Sequence, residues 1–505
     1  MSIRFSFSHF KGFNKLEPIE LKPLTVICGA NNSGKSSIIQ SLLLMKQSTI
    51  GNRTASLDVL SHQEPLILDG EDSALVHLGD WTDVIYKHET DQKMSFKWQL
   101  TDQIHADIEV EIKSMTHQKL IVSRFLFKEL NTPVSFELIH QANDEKYQLK
   151  LTGISLTALL YPWIYDTPPV EWTECNKSRP TVIDNIEFHN ISVEFQGIFP
   201  KSVQGDFAEQ SSDILNQVRN HSGKPDLFST DKKIELSRKA YRQCSQSLRE
   251  FWLNLRYLGP VREAPQRHYF IHQTGKTAIG SKGEYTSIVL AEEQEQTIPP
   301  YYRCTDDRKA LTFEYRSADK MVEAVNGWLS FMQLPQLIPT PVIERRISQI
   351  KLNSTGVEVC LPDVGFGVSQ ILPVLVECLR TKSGETIILE QPEIHLHPSL
   401  QSKLADFLIG IAKAGKNIIV ETHSEHLIKR LYLRAAQHES DDLRNLLNTV
   451  FVQFDQRQQT SVTQTIVSNE YGEIENWPIG FIDEDDSREL VAATLKKRLG
   501  KVRKP

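Results

Sequence analysis

The sequence predicts an α/β fold, and three features of the chain support this class. An apolar strand that begins at Leu24 leads through a glycine-containing turn into an apolar helix over residues 38–45. From Val342 onward strands and helices alternate, and the runs 386–389 and 417–420 are continuously apolar, as in parallel strands buried on both faces. The segment between these parts has its own strand and helix patterns. The expected architecture is a mixed-sheet head that carries a large mixed α+β insertion.

The pattern divides the chain into three parts: an N-terminal lobe at 1–90, the insertion at 91–340 and a C-terminal lobe at 341–505. In the insertion, period-two alternation over 94–152 and 185–195 predicts antiparallel strands, and residues 206–255 become helical. No heptad repeat is sustained there, so a long coiled coil is not expected. Further strands are expected within 3–27, at 66–71, at 76–85 and in a hairpin of 449–454 with 461–466. Further helices are expected at 319–331, 398–412 and 424–433.

Composition narrows the class of protein. The 505 residues are 40% hydrophobic and 24% charged, with a net charge of −7, which argues against a uniformly basic nucleic-acid-binding chain. No run of 18 apolar residues predicts a membrane span, and the alternating N-terminus indicates a strand and not a signal peptide. The six cysteines form no CxxC pair, which is typical of reduced thiols in the cytoplasm. The basic end at 496–505 is interpreted as a solvated helix end, with a phosphate contact as the alternative.

The turn after the first apolar strand has the pattern G-x-x-x-x-G-K-S from Gly29 to Ser36. Its glycines allow the backbone N–H groups to curl around a phosphate, and the following helix adds its positive N-terminal end. Lys35 can reach the β- and γ-phosphates, and the Ser36 hydroxyl can ligate Mg²⁺. ATP and Mg²⁺ are therefore the predicted ligands. The residues expected to bind the nucleotide here are Asn31, Asn32, Ser33, Gly34, Lys35, Ser36 and Ser37.

A second chemical feature is the acid that ends the buried strand at 386–390. A carboxylate at the carboxyl end of a parallel strand lies beside a P-loop and can hold Mg²⁺ directly or through water. Glu390 occupies this position and is the second predicted metal ligand.

The strings at 386–398 (TIILEQPEIHLHP) and 417–427 (NIIVETHSEHL) resemble the Walker B, D-loop and switch regions of ABC-type ATPases of the SMC, RecF and OLD branch. Residues 363–373 (DVGFGVSQILP) match the position of the family's signature motif. The order of these motifs is the family's order. Together with 258–267 (LGPVREAPQR) and 477–481 (WPIGF), the pattern is similar to the ATPase subunits of bacterial anti-phage systems such as Septu, including versions attached to retrons.

The resemblance implies roles for individual residues. His423 matches the switch histidine, which contacts the γ-phosphate or the attacking water. Gly367, Ser369 and Gln370 match the signature, which in this family caps the nucleotide held by the other protomer. The implied protein is an ATP-hydrolysing switch that forms a homodimer or a higher even-numbered oligomer. It would control an effector in trans, for which an HNH-type nuclease is the expected partner, and nucleic acid is a further candidate partner.

Two departures from the family pattern affect the chemistry. The family usually has a second acid directly after the Walker B acid, which activates water, but position 391 is Gln. An amide cannot take a proton at neutral pH, although it can orient water, so slow hydrolysis is predicted. Glu393 is the alternative base if the loop brings it within reach. The signature reads Gly367-Val-Ser-Gln where the family has Ser-Gly-Gly-Gln, and Ser369 keeps a hydroxyl that can donate to phosphate.

Other groups allow two interpretations each. His395 and His397, with Glu393 and His426, have spacing that suits zinc, but D-loop contacts across a dimer are favoured. Arg262, Arg267, Lys276 and Lys282 form either a solvated loop or a contact with nucleic acid or phosphate. At the level of function, the alternatives to a defence switch are a RecF- or SMC-like ATPase that clamps DNA and a nucleotide-binding scaffold with little turnover.

Overall fold

The computed structural model describes residues 2–54, 65–69, 75–102, 104–116, 119–141, 145–152, 154–155, 182–183, 186–205, 232–236, 239–270, 278–306, 312–339, 347–437, 442–469 and 474–476. In these ranges the strands are β1 (Ile3–Phe10), β2 (Phe13–Lys15), β3 (Ile19–Leu21), β4 (Leu24–Gly29), β5 (Met94–Leu100), β6 (Ala106–Thr116), β7 (Lys119–Glu129), β8 (Ser135–His140), β9 (Tyr147–Thr152), β10 (Ile154–Ser155), β11 (Val182–Ile183), β12 (Ile186–Gln196), β13 (Phe199–Gly205), β14 (Lys232–Glu235), β15 (Arg256–Leu258), β16 (Tyr269–Phe270), β17 (Tyr301–Asp306), β18 (Thr312–Arg316), β19 (Gln336–Ile338), β20 (Ile347–Ser348), β21 (Lys351–Ser354), β22 (Val357–Cys360), β23 (Thr386–Glu390), β24 (Asn417–Thr422), β25 (Leu447–Asp455) and β26 (Thr460–Ile466). The α-helices are α1 (Lys35–Thr54), α2 (Trp81–Val84), α3 (Lys239–Asn254), α4 (Thr286–Glu293), α5 (Met321–Phe331), α6 (Phe366–Arg380), α7 (Pro398–Lys413), α8 (Glu425–Gln437) and α9 (Asp442–Leu446).

The chain forms two compact units, and the division falls within α1. Unit 1 comprises residues 1–20 and 40–253, and unit 2 comprises residues 21–39 and 254–505. This division differs from the three parts expected from the sequence. Strand β1 pairs with β5 from Ile3–Leu100 to Ser8–Ser95, so the N-terminus joins the sheet of the insertion. Such long-range pairing leaves no trace in a local sequence pattern, which explains why the sequence placed the boundary elsewhere.

Unit 1 is built on one large sheet. Its strand order is β14-β13-β12-β9-β8-β7-β6-β5-β1-β2, with β3 beside β1. The neighbours along the path from β14 to β2 are antiparallel, which confirms the strands predicted from period-two alternation. Helix α3 buries Tyr241, Cys244, Leu248 and Trp252, whose spacing of three and four residues places them on one helix face. The Tyr241 ring lies 5.1 Å from that of Phe136 on β8, so this face packs on the sheet.

Unit 2 contains the predicted α/β head. Its main sheet has the order β15-β23-β24-β4-β25-β26, in which only β26 runs antiparallel to its neighbour. Strand β23 is buried along its whole length and β24 from Ile418 onward, as their continuously apolar runs predicted, and β4 is also buried throughout. Helices α6, α7 and α8 contribute to the apolar core around them. The α/β class with mixed sheets and the β25–β26 hairpin are confirmed.

The strands predicted at 66–71 and 76–85 are wrong where the structure describes these residues. Residues 65–69 and 75–80 are irregular, and α2 follows. Asp80 caps this helix by accepting a hydrogen bond from the Thr82 amide at 2.7 Å, and Asp83 accepts one from the Asp80 amide at 3.0 Å. This reciprocal capping box stabilises a helical turn where the apolar pattern alone suggested a strand.

In the part of the chain that the structure describes, no helix is long and apolar enough to cross a bilayer. Among the described residues, Cys28, Cys244, Cys304, Cys360 and Cys378 form no disulfide bond.

Candidate functional site

The predicted phosphate-binding turn connects the central strand β4 to helix α1. Gly29 has φ +146°, and a Cβ atom there would lie 2.0 Å from the carbonyl oxygen of Val452, so no other residue fits without displacing the neighbouring strand. Asn32 and Gly34 also have positive φ, of 57° and 103°. These conformations turn the chain sharply into the start of α1, as the motif requires.

The side chains of the turn leave donors available for an anion. Lys35 is 4% exposed, and its Nζ donates to the carbonyl oxygen of Ala30 at 2.6 Å, so it lies across the turn. Burial lowers the pKa of Lys35, and the Glu421 carboxylate opposes that shift. The buried Ser33 hydroxyl has no hydrogen-bond partner among the described residues. Asn31 and Asn32 are exposed, and Gly34 and Ser37 are half-buried.

Ser36, the predicted Mg²⁺ ligand, contacts an acid that the sequence analysis did not single out. Its exposed Oγ donates to both carboxylate oxygens of Glu421, at 3.1 and 3.2 Å. Glu421 is 2% exposed and precedes the last residue of β24, the strand directly beside β4. It therefore occupies the place next to the turn where a strand-end carboxylate was expected.

Glu390 lies one strand further along the sheet and pairs with Glu421 in register between β23 and β24. The two carboxyl groups hydrogen-bond to each other, which requires that one of them keeps a proton. Burial, and then the charge of Glu421, raise the pKa of Glu390 to about 7. The predicted metal ligand is thus one member of a pair of buried acids.

Strand β15 and the loop after it support Glu390 from the other side. The Tyr257 hydroxyl donates to Oε1 of Glu390 at 3.0 Å, and burial followed by the Glu390 charge raises the pKa of Tyr257. Arg262 is 7% exposed and donates through Nη2 to the backbone oxygen of Glu390 at 3.3 Å. Burial lowers the pKa of Arg262 to about 10. This residue is therefore an internal support of the site and not part of a solvated loop.

Gln391 follows Glu390 in a strained conformation. Its φ is +44°, in the left-handed region that side chains rarely adopt, and its amide donates to the backbone oxygen of Glu421 at 2.7 Å. The turn at the end of β23 is thus fixed to β24. The half-buried side chain at this position is an amide, as the sequence established.

Glu393 and His423 are joined through the backbone. Oε1 of Glu393 accepts hydrogen bonds from the Thr422 hydroxyl at 2.7 Å and from the His423 amide at 2.8 Å. The His423 side chain is exposed, and partial desolvation together with the Lys35 charge lowers its pKa, whereas a hydrogen bond with the Gly29 backbone opposes that shift. The structure therefore brings the predicted switch histidine to the P-loop.

The signature residues open helix α6, as predicted, but their side chains differ in exposure. Gly365 and Phe366 are exposed and Gly367 is half-buried, whereas Ser369 and Gln370 are both 5% exposed. The Ser369 hydroxyl donates to the Phe366 carbonyl at 2.8 Å, within the first turn of its own helix. The surface presented at this helix start is therefore made by residues 365–367.

The zinc interpretation of His395 and His397 finds no support in the described residues, which contain no group of three or more His, Cys, Asp or Glu side chains arranged to hold a metal ion. His397 instead caps α7 by accepting from the Ser399 amide, because helix N-termini carry unpaired donors. Of the remaining basic residues, Arg267 is paired with Asp363 at 2.6 Å and Lys282 is exposed. Lys276, residues 477–481 and the basic end at 496–505 lie outside the described residues.

Sequence reasoning missed Glu421 and Tyr257 and misjudged Arg262. A usable signal existed for Glu421, because it ends an apolar strand in the same way as Glu390. For Tyr257 and Arg262 only the string at 258–267 was available, and nothing in it indicates that β15 pairs with β23.

These residues fit a nucleotide with Mg²⁺. The unpartnered Ser33 hydroxyl, the space that a Cβ at Gly29 would fill, and the two acids that share a proton each indicate a site shaped for an anion and a cation. Mg²⁺ is usually held by one or two carboxylates together with hydroxyl, phosphate and water oxygens. Ser36, Glu421 and Glu390 supply such protein oxygens.

Glu390→Gln should stabilise the nucleotide-free protein in a pH-dependent way. The native carboxyl group stays protonated up to about pH 7, whereas its ordinary pKa is 4.5. The unfolded chain therefore releases this proton first, and the native state loses stability as pH rises from about 4.5 to about 7. The variant removes this loss, so its free energy of unfolding at pH 8 should exceed that of the wild type by up to about 3 kcal/mol, with little difference at pH 5.

Urea unfolding at both pH values with EDTA present measures this difference. Exposed Glu292→Gln is the matched control and should give no pH-dependent gain. An equal effect of Glu390→Gln at pH 5 and pH 8 would contradict the shared-proton description.

Comparisons with known proteins agree with the site at the level of family. Residues 5–428 match the model of the family described as AAA ATPase domain. No curated protein matches the chain significantly. Among solved structures, the SMC head domain from Thermotoga maritima is similar with a TM-score of 0.35 and 11% identity, covering 92% of this chain and 100% of that one.

Two further solved structures are similar at 11% and 9% identity. An SmcHead bound to the C-winged helix domain of ScpA has a TM-score of 0.35 and 11% identity, covering 92% of this chain and 97% of that one. The Smc head domain with an extended coiled coil, bound to the C-terminal domain of ScpA from Pyrococcus furiosus, has a TM-score of 0.33 and 9% identity, with 99% of both chains covered. The family match extends over most of the chain and includes the P-loop, the acids and the switch histidine, so the chain belongs to the AAA ATPase domain family.

Proposed function

We propose that this protein is an ATP-binding and slowly hydrolysing switch subunit of a bacterial anti-phage defence complex. It dimerises through composite nucleotide sites and controls an effector in trans, for which an HNH-type nuclease is the expected class. The observation that carries the nucleotide part of the proposal is the convergence of Lys35, Ser36, Glu421 and Glu390 at the carboxyl ends of three adjacent strands. The defence part is supported by the motif resemblance described above.

The division of labour follows from the positions of these groups. The turn 29–36 and the N-terminus of α1 bind the phosphates, and Lys35 neutralises their charge. Ser36, Glu421 and Glu390 would hold Mg²⁺, which would supply positive charge against the phosphate oxygens. Tyr257 fixes the Glu390 carboxyl group by its hydrogen bond.

The supply of a general base sets the rate. An activating acid is expected directly after Glu390, but Gln391 can only orient water. Because hydrolysis is slow, the ATP-bound state is long-lived. Such a state suits a protein whose ATP-bound form is the signal to its effector. Slow turnover is thus part of the proposed function and not a defect of it.

The signature helix supports a composite site. One P-loop covers only one side of a triphosphate, and the exposed N-terminal turn of α6 offers further backbone donors. Two protomers that face each other across a two-fold axis would each complete the other's site. ATP binding then strengthens the contact between the two protomers by mass action.

Lys35→Ala should abolish ATP binding and biological activity without unfolding the protein, because the charge that faces the phosphates is lost. Fluorescent ATP-analogue binding and a phage-protection assay measure the two effects. The control is Lys282→Ala, an exposed lysine in the same unit, which should bind normally. Unchanged ATP affinity in Lys35→Ala would refute the nucleotide site.

Mixing two inactive variants should restore part of the ATPase activity if the site is composite. Lys35→Ala removes the P-loop cation, and Gly367→Arg blocks the signature surface. Gly367 is suitable because a Cβ there meets only the Leu396 and Leu400 side chains, at 3.7 and 4.0 Å, whereas Ser369 is buried. A heterodimer of the two variants retains one intact site, so turnover should recover to a fraction of the wild type. No recovery despite demonstrated subunit exchange would exclude sharing of the site.

Gln391→Glu should raise turnover if the missing base limits the rate. Glutamate has the same shape as glutamine, so the strained backbone at this position is unchanged. A positioned base contributes about 10²–10⁴-fold, and a rise within this range is expected in single-turnover assays. Gln391→Asn is the control and should give no rise. An unaltered rate in Gln391→Glu would mean that proton removal at this position is not limiting.

A further inference from the structure

Glu393 lies in the loop after β23, and its contacts distinguish two roles for it. Oε1 already accepts two hydrogen bonds, from the Thr422 hydroxyl and the His423 amide. Oε2 is buried and has no partner among the described residues. The residue is 7% exposed, and the one oxygen that has partners points to residues 422 and 423.

A general base must come within about 2.6–3.2 Å of the proton that it removes, directly or through one water. Oε1 of Glu393 points to residues 422 and 423 and already accepts two hydrogen bonds from them. Burial raises the pKa of this carboxyl group, and its hydrogen bonds oppose that shift. The geometry therefore favours a structural partner of the switch segment over a base.

The segment that contains His423 is held on both sides. Thr422 donates to Glu393, and its Oγ1 accepts from the Ser424 amide at 2.9 Å. The Ser424 hydroxyl donates to Oε1 of Gln401 on α7 at 2.6 Å and accepts from the Leu427 amide at 3.0 Å. His423 alone among these three residues is exposed. The network fixes the backbone at 422–424 and leaves one imidazole ring to face the P-loop.

We infer that Glu393 and Thr422 are positioning residues that hold His423 at the nucleotide, and that Glu393 is not the substitute for the missing base. This inference rests on the proposed function, because it assigns the two residues to the same site. Glu393 links the loop after β23 to the switch segment 422–424 by two hydrogen bonds.

The test exploits the difference between an acceptor and a base. Glu393→Gln keeps an oxygen that can accept from Thr422 and His423 but cannot take a proton, so turnover should stay within about 3-fold of the wild type with an unchanged pH–rate profile. Glu393→Ala removes the acceptor, and turnover should fall about 10–100-fold while ATP affinity is retained, since misplacing a reacting group by about 1 Å costs of this order. If Glu393 were the general base, turnover would instead fall by about 10²–10⁴-fold in both variants.

Thr422 offers a matched pair. Thr422→Val keeps the shape of the side chain but removes the hydroxyl, so its turnover should fall as in Glu393→Ala. Thr422→Ser keeps the hydroxyl and should retain wild-type turnover. Coupling to the histidine is tested by a double-mutant cycle. Glu393→Ala combined with His423→Ala should be no slower than His423→Ala alone, because a positioning residue has no effect once its target is absent.

A measurement without turnover separates this inference from the proposed function. Hydrogen exchange of the His423 amide should be protected in the wild type and in Glu393→Gln, and should accelerate in Glu393→Ala. If the wild type does not bind ATP, the proposed function fails, while the exchange result still decides the positioning network. If Glu393→Ala does not fold, the Thr422 pair decides it.

Two outcomes would overturn the inference. A loss of the acidic limb of the pH–rate profile in Glu393→Gln, with turnover as low as in Glu393→Ala, would make Glu393 the base. Wild-type turnover and amide protection in Glu393→Ala would show that the network does not position His423.

Discussion

The parallel register of three strands determines the chemistry of unit 2. Strand β24 lies between β23 and β4, and this register sets Glu390 opposite Glu421 and Glu421 opposite Ile27, two residues before Gly29. A shift by one residue would turn every side chain of β24 to the other face of the sheet. In β23 and β24 the apolar residues 387–389 and 418–420 come directly before Glu390 and Glu421. The acids lie where the apolar runs stop.

This arrangement costs free energy when the site holds no cation. Two buried carboxyl groups cannot both ionise in contact, so Glu390 and Glu421 share a proton, and Tyr257 contributes one more donor. Arg262 lies buried nearby with two guanidinium nitrogens that have no partner among the described residues. The apolar core around the sheet offsets the free-energy cost of burying these groups, as is common at functional sites. A bound cation would lower this cost, because the ionised oxygens would then face an opposite charge.

The sequence predicted what depends on local pattern and missed what depends on pairing. The P-loop, Glu390 and the α/β class follow from motifs whose spacing reflects backbone geometry, whereas His423 was assigned from the family resemblance. Glu421 was missed because the expectation of one strand-end acid was already met by Glu390. Tyr257 and Arg262 reach the site because β15 pairs with β23 at the edge of the sheet. The sequence of a three-residue strand does not indicate which strand it pairs with.

The glutamine at position 391 can be understood from this crowding. Glu390, Glu421 and Glu393 are all buried at one end of the sheet, and burial raises the pKa of each. A fourth carboxyl group next to Glu390 would add like charge where the nearby cations, Lys35 and Arg262, are few. An amide avoids this repulsion and still offers a donor and an acceptor to water. Under the proposed function, an amide that avoids this repulsion but cannot remove a proton would also lengthen the life of the bound state, which would link the stability of this site to its use as a slow switch.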